Sequence, residues 1–153
     1  MLKSDRLGFL RSRNKAGRNR LSVKVPSETR YIKKVSEKVL SSLSAYRLSE
    51  ADAFDIRLCV EEAVRNSIVH GNHSDKRLTV KASWWVEADR IHIEVEDEGA
   101  GFDHRKVADP TSGEHILKNS GRGVYLIKKL MDKVEYNDRG NKVTMVAAIK
   151  QGQ

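Results

Sequence analysis

The stretch that decides the fold is IHIEVEDEGAGFD, which runs from Ile91 to Asp103. Apolar side chains alternate with polar ones from position 91 to 96, and this period of two predicts a half-buried strand. Continued by one residue, the alternation places Asp97 on the apolar face, where a carboxylate is costly unless a polar group hydrogen-bonds to it. Gly99 and Gly101 follow, and glycine lets a backbone come close to a ligand. Taken alone, an acid followed by two glycines is usually a turn.

The composition limits the class of protein. A chain of 153 residues with 39% hydrophobic and 33% charged residues is typical of one soluble domain with its own core. No apolar run approaches the roughly 18 residues that a membrane span needs, so we expect no membrane insertion. The single cysteine, Cys59, excludes an intrachain disulfide and fits a reducing compartment, which favours a cytoplasmic protein. Its place in a helical pattern predicts a core residue rather than a reactive thiol.

The net charge of +8 is concentrated at the N-terminus. Residues 1–20 hold seven basic side chains and one acidic side chain, which together account for +6 of the total. A segment this basic, with few large apolar side chains, is predicted to be a mostly disordered tail ahead of a folded domain over residues 21–150. We favour a solvated tail or an extended start of the fold. The alternatives are an anchor for an acidic partner, RNA or a membrane surface, and a transit peptide.

Outward from the opening stretch, hydrophobic periodicity and turn residues predict the other elements. In chain order these are a strand over 21–25, a helix from an N-cap at Ser27 to about Leu43, a helix from an N-cap at Ser49 to about His70, strands over 78–86 and 90–96, a polar loop over 103–120, a helix over 122–131, and strands over 134–136 and 143–149. Strands paired through tight turns, with the helices grouped, indicate an α+β two-layer sandwich. We expect its sheet to be mixed and mostly antiparallel, as in the family that the motifs below resemble.

The second predicted helix carries the sequence EEAVRNSIVHGN, in which Glu62 and Asn66 are four residues apart. This spacing puts both side chains on one side of the helix, and His70 continues the row. Asn66 lies at the margin of the apolar stripe, where an amide needs a polar partner. Taken alone, the row is more typical of an exposed polar edge.

A third feature is SGRGVYLIKKL, in which Gly121 and Gly123 lead into a helix. A glycine-rich helix start offers unpaired N–H groups and a positive dipole end, both suited to phosphate, although it could equally be a flexible entry to the helix. The sequence contains no P-loop, and GRGVYL lacks the third glycine of the dinucleotide fingerprint. No grouping of cysteine and histidine indicates zinc, and no Ser-His-Asp set has a defined geometry. The histidines predicted to be surface residues are His70, His73, His104 and His115.

Together and in this order, the three features resemble the N, G1 and G2 boxes of the Bergerat-fold ATPases, the superfamily of gyrase, heat-shock chaperone, histidine kinase and mismatch-repair ATPases. The matching patterns are Glu62-x-x-x-Asn66, Asp97-x-Gly99-x-Gly101-Phe102 and Gly121-x-Gly123. Within the superfamily, the short chain, the HGN after the N box and the segment GRGVYLIKKLMDKVEY followed by KVTMV are most similar to the anti-sigma-factor serine kinases.

The resemblance implies a role for each of these positions. Asp97 would accept a hydrogen bond from the adenine amino group, Asn66 would hold Mg²⁺, and Glu62 would be the general base. Residues 103–120 would form an ATP lid, and Thr144 would support Asp97 through water. The other positions implied to bind ATP are Gly99, Gly101, Phe102, Gly121, Arg122, Gly123 and Val124.

Three departures or uncertainties accompany the resemblance. Arg65 stands where these kinases usually carry a small polar residue, and it would either reach a phosphate or lie exposed on the helix. Thr144 alternates with its apolar neighbours, so its phase leaves open whether it faces Asp97. Lys128 and Lys129 lie inside the last predicted helix and are interpreted as surface residues.

The resemblance implies an ATP-dependent protein serine kinase that sequesters a sigma factor and phosphorylates a serine of an anti-anti-sigma antagonist of the STAS type. It implies no direct contact with DNA, and family members often work as dimers. Two alternatives remain open at the level of sequence. One is a non-catalytic binding module regulated by nucleotide, and the other is the detached ATP-binding domain of a histidine kinase.

Overall fold

The computed structural model describes residues 9–13, 19–101 and 119–149, and for residues 119–122 it describes the backbone alone. Its strands and α-helices are, in chain order, β1 (Leu10–Arg13), β2 (Asn19–Pro26), α1 (Ile32–Ser42), α2 (Glu50–Asn66), β3 (Thr79–Glu87), β4 (Arg90–Asp97), α3 (Asn119–Leu130), β5 (Lys133–Tyr136) and β6 (Lys142–Ala148). No helix in this part of the chain is long and apolar enough to cross a membrane.

The six strands form one sheet in the order β1-β2-β3-β4-β6-β5, and every pairing is antiparallel. The predicted α+β class is confirmed, but the mixed sheet is wrong for the described strands. β4 and β5 do run in the same direction, because each is antiparallel to β6. β6 lies between them, so the two strands never pair.

One face of the sheet packs against the helices. Val23, Ala82, Val95 and Val143 lie side by side across β2, β3, β4 and β6, and all four are buried. α2 covers them with the predicted stripe, whose buried members are Ile56, Val60, Ala63, Val64 and Ser67. Cys59 joins this core, and burial raises the pKa of its thiol to about 12, as expected for a packing residue.

The prediction of a disordered tail is wrong for Leu10–Arg13, which form β1 and pair with β2. β1 brings Phe9 to 6.3 Å from Trp84, measured between ring centroids. The ammonium group of Lys38 lies 4.7 Å from the Phe9 ring, close enough for a cation–π contact. An edge strand can be held by backbone pairing and one anchoring side chain, here Phe9. The high charge of the segment outweighs this single apolar residue in a prediction from composition.

The two predicted N-caps have different outcomes. Ser49 caps α2 as expected, because its hydroxyl oxygen accepts a 3.1 Å hydrogen bond from the backbone N–H of Asp52. Ser27 does not cap α1, which begins only at Ile32 after a turn of 3-10 helix. The Ser27 hydroxyl instead donates to the Leu78 carbonyl at 2.8 Å and fixes the start of β3.

The segment after α2 ends at a buried asparagine. α2 is α-helical to Asn66, short of the predicted end at His70, and continues as a π-helical turn over Ser67–Gly71. The side chain of Asn72 donates to the Ser27 hydroxyl at 2.9 Å and to the Thr79 carbonyl at 3.0 Å. Its oxygen accepts from the backbone N–H of Glu98 at 2.9 Å, so one side chain joins α2, β3 and the end of β4.

We expect Asn72→Ala to be strongly destabilising, because it removes three hydrogen bonds, to the Ser27 hydroxyl, the Thr79 carbonyl and the Glu98 N–H. Each lost bond costs about 1 kcal/mol, and we expect a total loss of about 3 kcal/mol. In a chain of this size that loss lowers the melting temperature by roughly 6–12 °C. Thermal unfolding followed by circular dichroism measures the change, and melting within about 2 °C of the wild type would contradict the assigned network.

Candidate nucleotide-binding site

Asp97 is the last residue of β4, and its carboxylate points to the helix-covered side of the sheet. The residue is 6% exposed, as the alternation predicted. Its Oδ1 accepts a 2.9 Å hydrogen bond from the backbone N–H of Gly99, and the Ser67 hydroxyl also donates to the carboxylate. Burial raises the pKa of Asp97, and these two hydrogen bonds oppose that rise. The carboxylate is therefore held in place at some cost to the folded protein.

The turn between β5 and β6 holds the backbone on which Asp97 sits. The N–H of Asp97 donates to the Asn141 carbonyl at 2.9 Å, and the Asn141 side-chain amide donates to the Asp97 carbonyl at 2.9 Å. Asn137 in turn donates to the Asn141 side-chain oxygen at 2.7 Å. Arg139 donates to the Gly99 carbonyl at 3.0 Å. The acid is thus fixed from two sides, by the turn and by the end of α2.

Three glycines allow the close packing around this acid. A Cβ at Gly71 would overlap the Asp97 carboxylate, and a Cβ at Gly99 would overlap the Gly71 carbonyl. Gly101 has a φ of +85° and lies against the Arg139 carbonyl, so it is constrained by both conformation and space. Gly99 and Gly101 belong to the predicted site, whereas Gly71 was not among the predicted site residues.

A cavity of about 150 Å³ opens beside Asp97, between α2, α3 and the sheet. Its walls include the apolar side chains of Ala63, Val95, Val124 and Val143, together with Asn66, His70, Tyr136 and Asn141. An apolar slot that ends at a buried carboxylate fits a flat purine that offers an amino group. Burial raises the pKa of Tyr136 to about 12, so its hydroxyl stays protonated at this wall.

Glu62 and Asn66, the two residues of the predicted N box, face the start of α3. A Cβ at Gly123 would lie 2.8 Å from Glu62 Oε2 and 3.0 Å from Asn66 Nδ2, so only glycine fits without displacing these groups. The Glu62 side chain is 22% exposed, and Asn66 also lines the cavity. The structure thus brings the predicted base, the predicted metal ligand and one glycine of the G2 box into contact.

The helix start differs from the prediction. α3 begins at Asn119 rather than near Arg122, so Gly121 and Gly123 lie inside its first turns. The unpaired N–H groups of a helix belong to its first turn, and Gly123 is the fifth residue of α3, beyond that turn. Gly123 therefore contributes by its missing side chain rather than by an unpaired N–H.

The Thr144 assignment is wrong. Thr144 pairs with Glu94 and Glu135, so its side chain lies on the face of the sheet opposite Asp97. Asn141, three residues earlier, is the residue of β6 and its turn that touches Asp97. The sequence carries a weak signal for this, because an asparagine beside Gly140 at a tight turn is typical of side-chain bonding to backbone.

The remaining assignments fall into two groups. Lys128 and Lys129 are exposed, as predicted, and His70 is exposed but also contributes to the cavity wall. Phe102 and most of the lid over 103–120 lie outside the described residues, as do His104 and His115. The side chain of Arg122 is not described either.

The oxygen donors around Asn66 decide whether these residues fit Mg²⁺, a hard cation that prefers oxygen ligands. The described residues contain no group of three or more acidic, histidine or cysteine side chains that could hold a metal on their own. Mg²⁺ usually takes one or two protein oxygens and keeps water and phosphate oxygens as its other ligands. The Asn66 amide oxygen, next to the Glu62 carboxylate, fits that mode of binding.

The fold and this site are those of a nucleotide-binding ATPase domain, and comparison with known proteins gives the same class. Residues 25–147 match the family model described as the histidine kinase-like ATPase domain, and the chain belongs to that family. The predicted Bergerat ATPase fold is thereby confirmed.

Among the similar proteins are serine-protein kinases and an anti-sigma factor. The chain is 32% identical over 132 residues to the serine-protein kinase RsbW of Bacillus licheniformis, covering 82% of each chain. It is 35% identical over 99 residues to the anti-sigma F factor of Oceanobacillus iheyensis, covering 63% of this chain and 68% of the relative. It is 26% identical over 141 residues to RsbW of Staphylococcus epidermidis, covering 87% of this chain and 89% of the relative.

We expect Asp97→Asn to stabilise the nucleotide-free protein near neutral pH. Because burial raises the pKa of Asp97 above 3.8, its usual value, the native state binds this proton more tightly than the unfolded chain does. The stability that this carboxyl contributes is therefore present at low pH and is lost as the pH rises through the raised pKa. The melting temperature of the variant, minus that of the wild type, should increase from about pH 4 to pH 7. A constant difference would contradict the burial argument.

Proposed function

We propose that this protein is an ATP-dependent serine kinase and anti-sigma factor, which sequesters a sigma factor and phosphorylates a serine of a STAS-type antagonist. The observation that carries the proposal is the contact of Glu62 and Asn66 with Gly123, beside a cavity that ends at the buried acid Asp97. The names of its relatives, serine-protein kinase and anti-sigma F factor, support the same conclusion.

In the proposed reaction the serine hydroxyl oxygen of the antagonist forms a bond to the γ-phosphorus of ATP. The bond between that phosphorus and the β–γ bridging oxygen breaks, ADP leaves, and the hydroxyl proton passes to the Glu62 carboxylate. Glu62 suits this task because its side chain is partly exposed beside Gly123, one turn of α2 before Asn66 of the cavity wall, within reach of a protein substrate. Asp97 is buried and suits recognition of the base instead.

The chain positions the nucleotide from two ends. Asp97 would accept a hydrogen bond from the purine amino group, and the N-terminal turn of α3 would offer its free N–H groups to the phosphates. Asn66 would hold Mg²⁺ through its amide oxygen, and the metal would supply neutralisation of charge on the phosphates. Asn141 and Gly99 keep Asp97 in place for this role.

The partners follow from the proposed function. A sigma factor and its antagonist would compete for the protein in the cytoplasm, without direct contact between this chain and DNA. We also propose that the protein acts as a homodimer, which analytical ultracentrifugation with and without ATP would test.

The test is incubation with radiolabelled ATP, Mg²⁺ and the STAS-domain proteins of the source organism, together with capture of its sigma factors. Acid-stable phosphate on a serine, with sigma binding that depends on ATP, supports the proposal. ATP-dependent sigma binding without transfer to any STAS-domain protein would favour a regulated binding module. Acid-labile phosphate on a histidine would favour a histidine-kinase domain.

A further inference from the structure

Arg65 makes a close ion pair with the proposed base. Its Nη1 donates to Glu62 Oε1 at 2.7 Å, across one turn of α2. The Arg65 side chain is 47% exposed and the Glu62 side chain is 22% exposed, so the pair lies at the solvent-facing rim of the site. Of the two roles left open from sequence, a phosphate contact or simple exposure, neither includes this ion pair.

The ion pair gives the two oxygens of Glu62 different surroundings. Oε1 is occupied by the guanidinium group, whereas Oε2 points to the Cα of Gly123, where a Cβ would lie only 2.8 Å away. Oε2 is therefore the oxygen directed toward the start of α3. A hydroxyl that approaches the phosphate-binding end would meet Oε2 and not Oε1.

We propose that Arg65 is a positioning residue that fixes the Glu62 carboxylate so that Oε2 faces the acceptor hydroxyl. This inference rests on the proposed kinase function. A base is commonly oriented by a third group that does not itself react. The free Glu62 side chain has three rotatable bonds, and an ion pair to Oε1 removes most of the alternative orientations.

The size of the effect follows from the exposure of the pair. A half-exposed ion pair between neighbouring turns is weak, so its removal should leave the fold intact. The loss should appear in the rate of transfer, because only the reacting orientation of Glu62 depends on it. ATP binding should be unaffected, since Asp97 and Asn141 lie on other elements.

The experiment compares Arg65→Met, which keeps the length of the stem, with Arg65→Lys, which keeps the charge. Arg57→Met is the matched control, because it removes the same charge from the same helix. With radiolabelled ATP and a STAS-domain acceptor, we expect Arg65→Met to lower kcat about two- to fivefold, with KM for ATP within about twofold of wild type. Arg65→Lys should recover most of the rate, and Arg57→Met should retain it.

A second readout needs neither nucleotide nor acceptor. Carbodiimide coupling of glycine amide to carboxyl groups, quantified by peptide mass spectrometry, reports how freely Glu62 is presented to solvent. We expect Arg65→Met to increase the labelling rate of Glu62 several-fold and to leave that of Glu50 unchanged.

Unchanged or faster transfer by Arg65→Met, with wild-type labelling of Glu62, would overturn the inference while the kinase function stands. If the wild type transfers phosphate to no acceptor, the proposed function and the inference both fail. Normal transfer by Glu62→Gln would overturn the inference in a third way, because the carboxylate that Arg65 holds would then have no part in the reaction.

Discussion

Replacing Glu62 with glutamine is expected to reduce phosphoryl transfer by at least about 10²-fold, the usual contribution of a general base. The amide keeps the shape of the side chain and its place against Gly123, but it cannot accept the hydroxyl proton. ATP affinity should stay within about twofold of the wild type, because Asp97 and the cavity walls do not change. Rate measurements with saturating ATP and calorimetric titration of the same preparation separate the two effects.

Glu61→Gln is the matched control for this prediction. Glu61 is the adjacent residue of α2, and its carboxylate accepts a 2.8 Å hydrogen bond from the Ser36 hydroxyl on α1. A glutamine oxygen can accept the same bond, so transfer should remain near the wild-type rate. Equal losses in both variants would indicate damage to α2, and full activity of Glu62→Gln would remove the base from the mechanism.

Gly71→Ala is expected to produce the second large effect, on nucleotide affinity. The new methyl group would overlap the Asp97 carboxylate, which is the end of a side chain and can rotate away. Rotation relieves the clash but removes the acceptor from the purine, at a cost of about 1–3 kcal/mol, or about five- to 150-fold in affinity. Calorimetric titration with ATP measures this loss, and the melting temperature should fall only modestly, through the hydrogen bonds to Gly99 and Ser67 that the moved carboxylate gives up.

Gly99→Ala gives the contrasting result, because its methyl group would meet the backbone of Gly71 rather than a side chain. Backbone cannot rotate away, so this variant should lose several degrees of melting temperature as well as affinity. If Gly71→Ala binds ATP like the wild type, the packing of Gly71 on Asp97 does not control the site.

The features read correctly from sequence depend on local pattern. Alternation along β4 places Asp97 on the buried face, and the Ser49–Asp52 spacing marks the start of α2. The four-residue step from Glu62 to Asn66 puts both side chains opposite Gly123. Each of these signals is set by neighbours within one or two turns of the chain, and tertiary structure then preserves them.

The predictions were wrong where contacts between segments distant in the sequence determine the role of a side chain. Ser27 looks like an N-cap, but its hydroxyl oxygen accepts a hydrogen bond from the buried Asn72, 45 residues later. Thr144 occupies a plausible position in the sequence, but the register of β6 against β4 turns it to the other face of the sheet. Asn141 supports Asp97 through a hydrogen bond that spans 44 residues, and the local asparagine–glycine turn does not indicate which backbone group its side chain bonds.

The most direct test of the central claim, that Asp97 recognises the base of ATP in this cavity, is calorimetric titration of the wild type and Asp97→Asn with ATP and Mg²⁺. The account predicts measurable binding by the wild type and an affinity about five- to 150-fold lower in the variant, the equivalent of about 1–3 kcal/mol. Thermal unfolding of the variant verifies that its fold is intact. Absence of binding by the wild type, or equal affinities of the two proteins, would contradict the account.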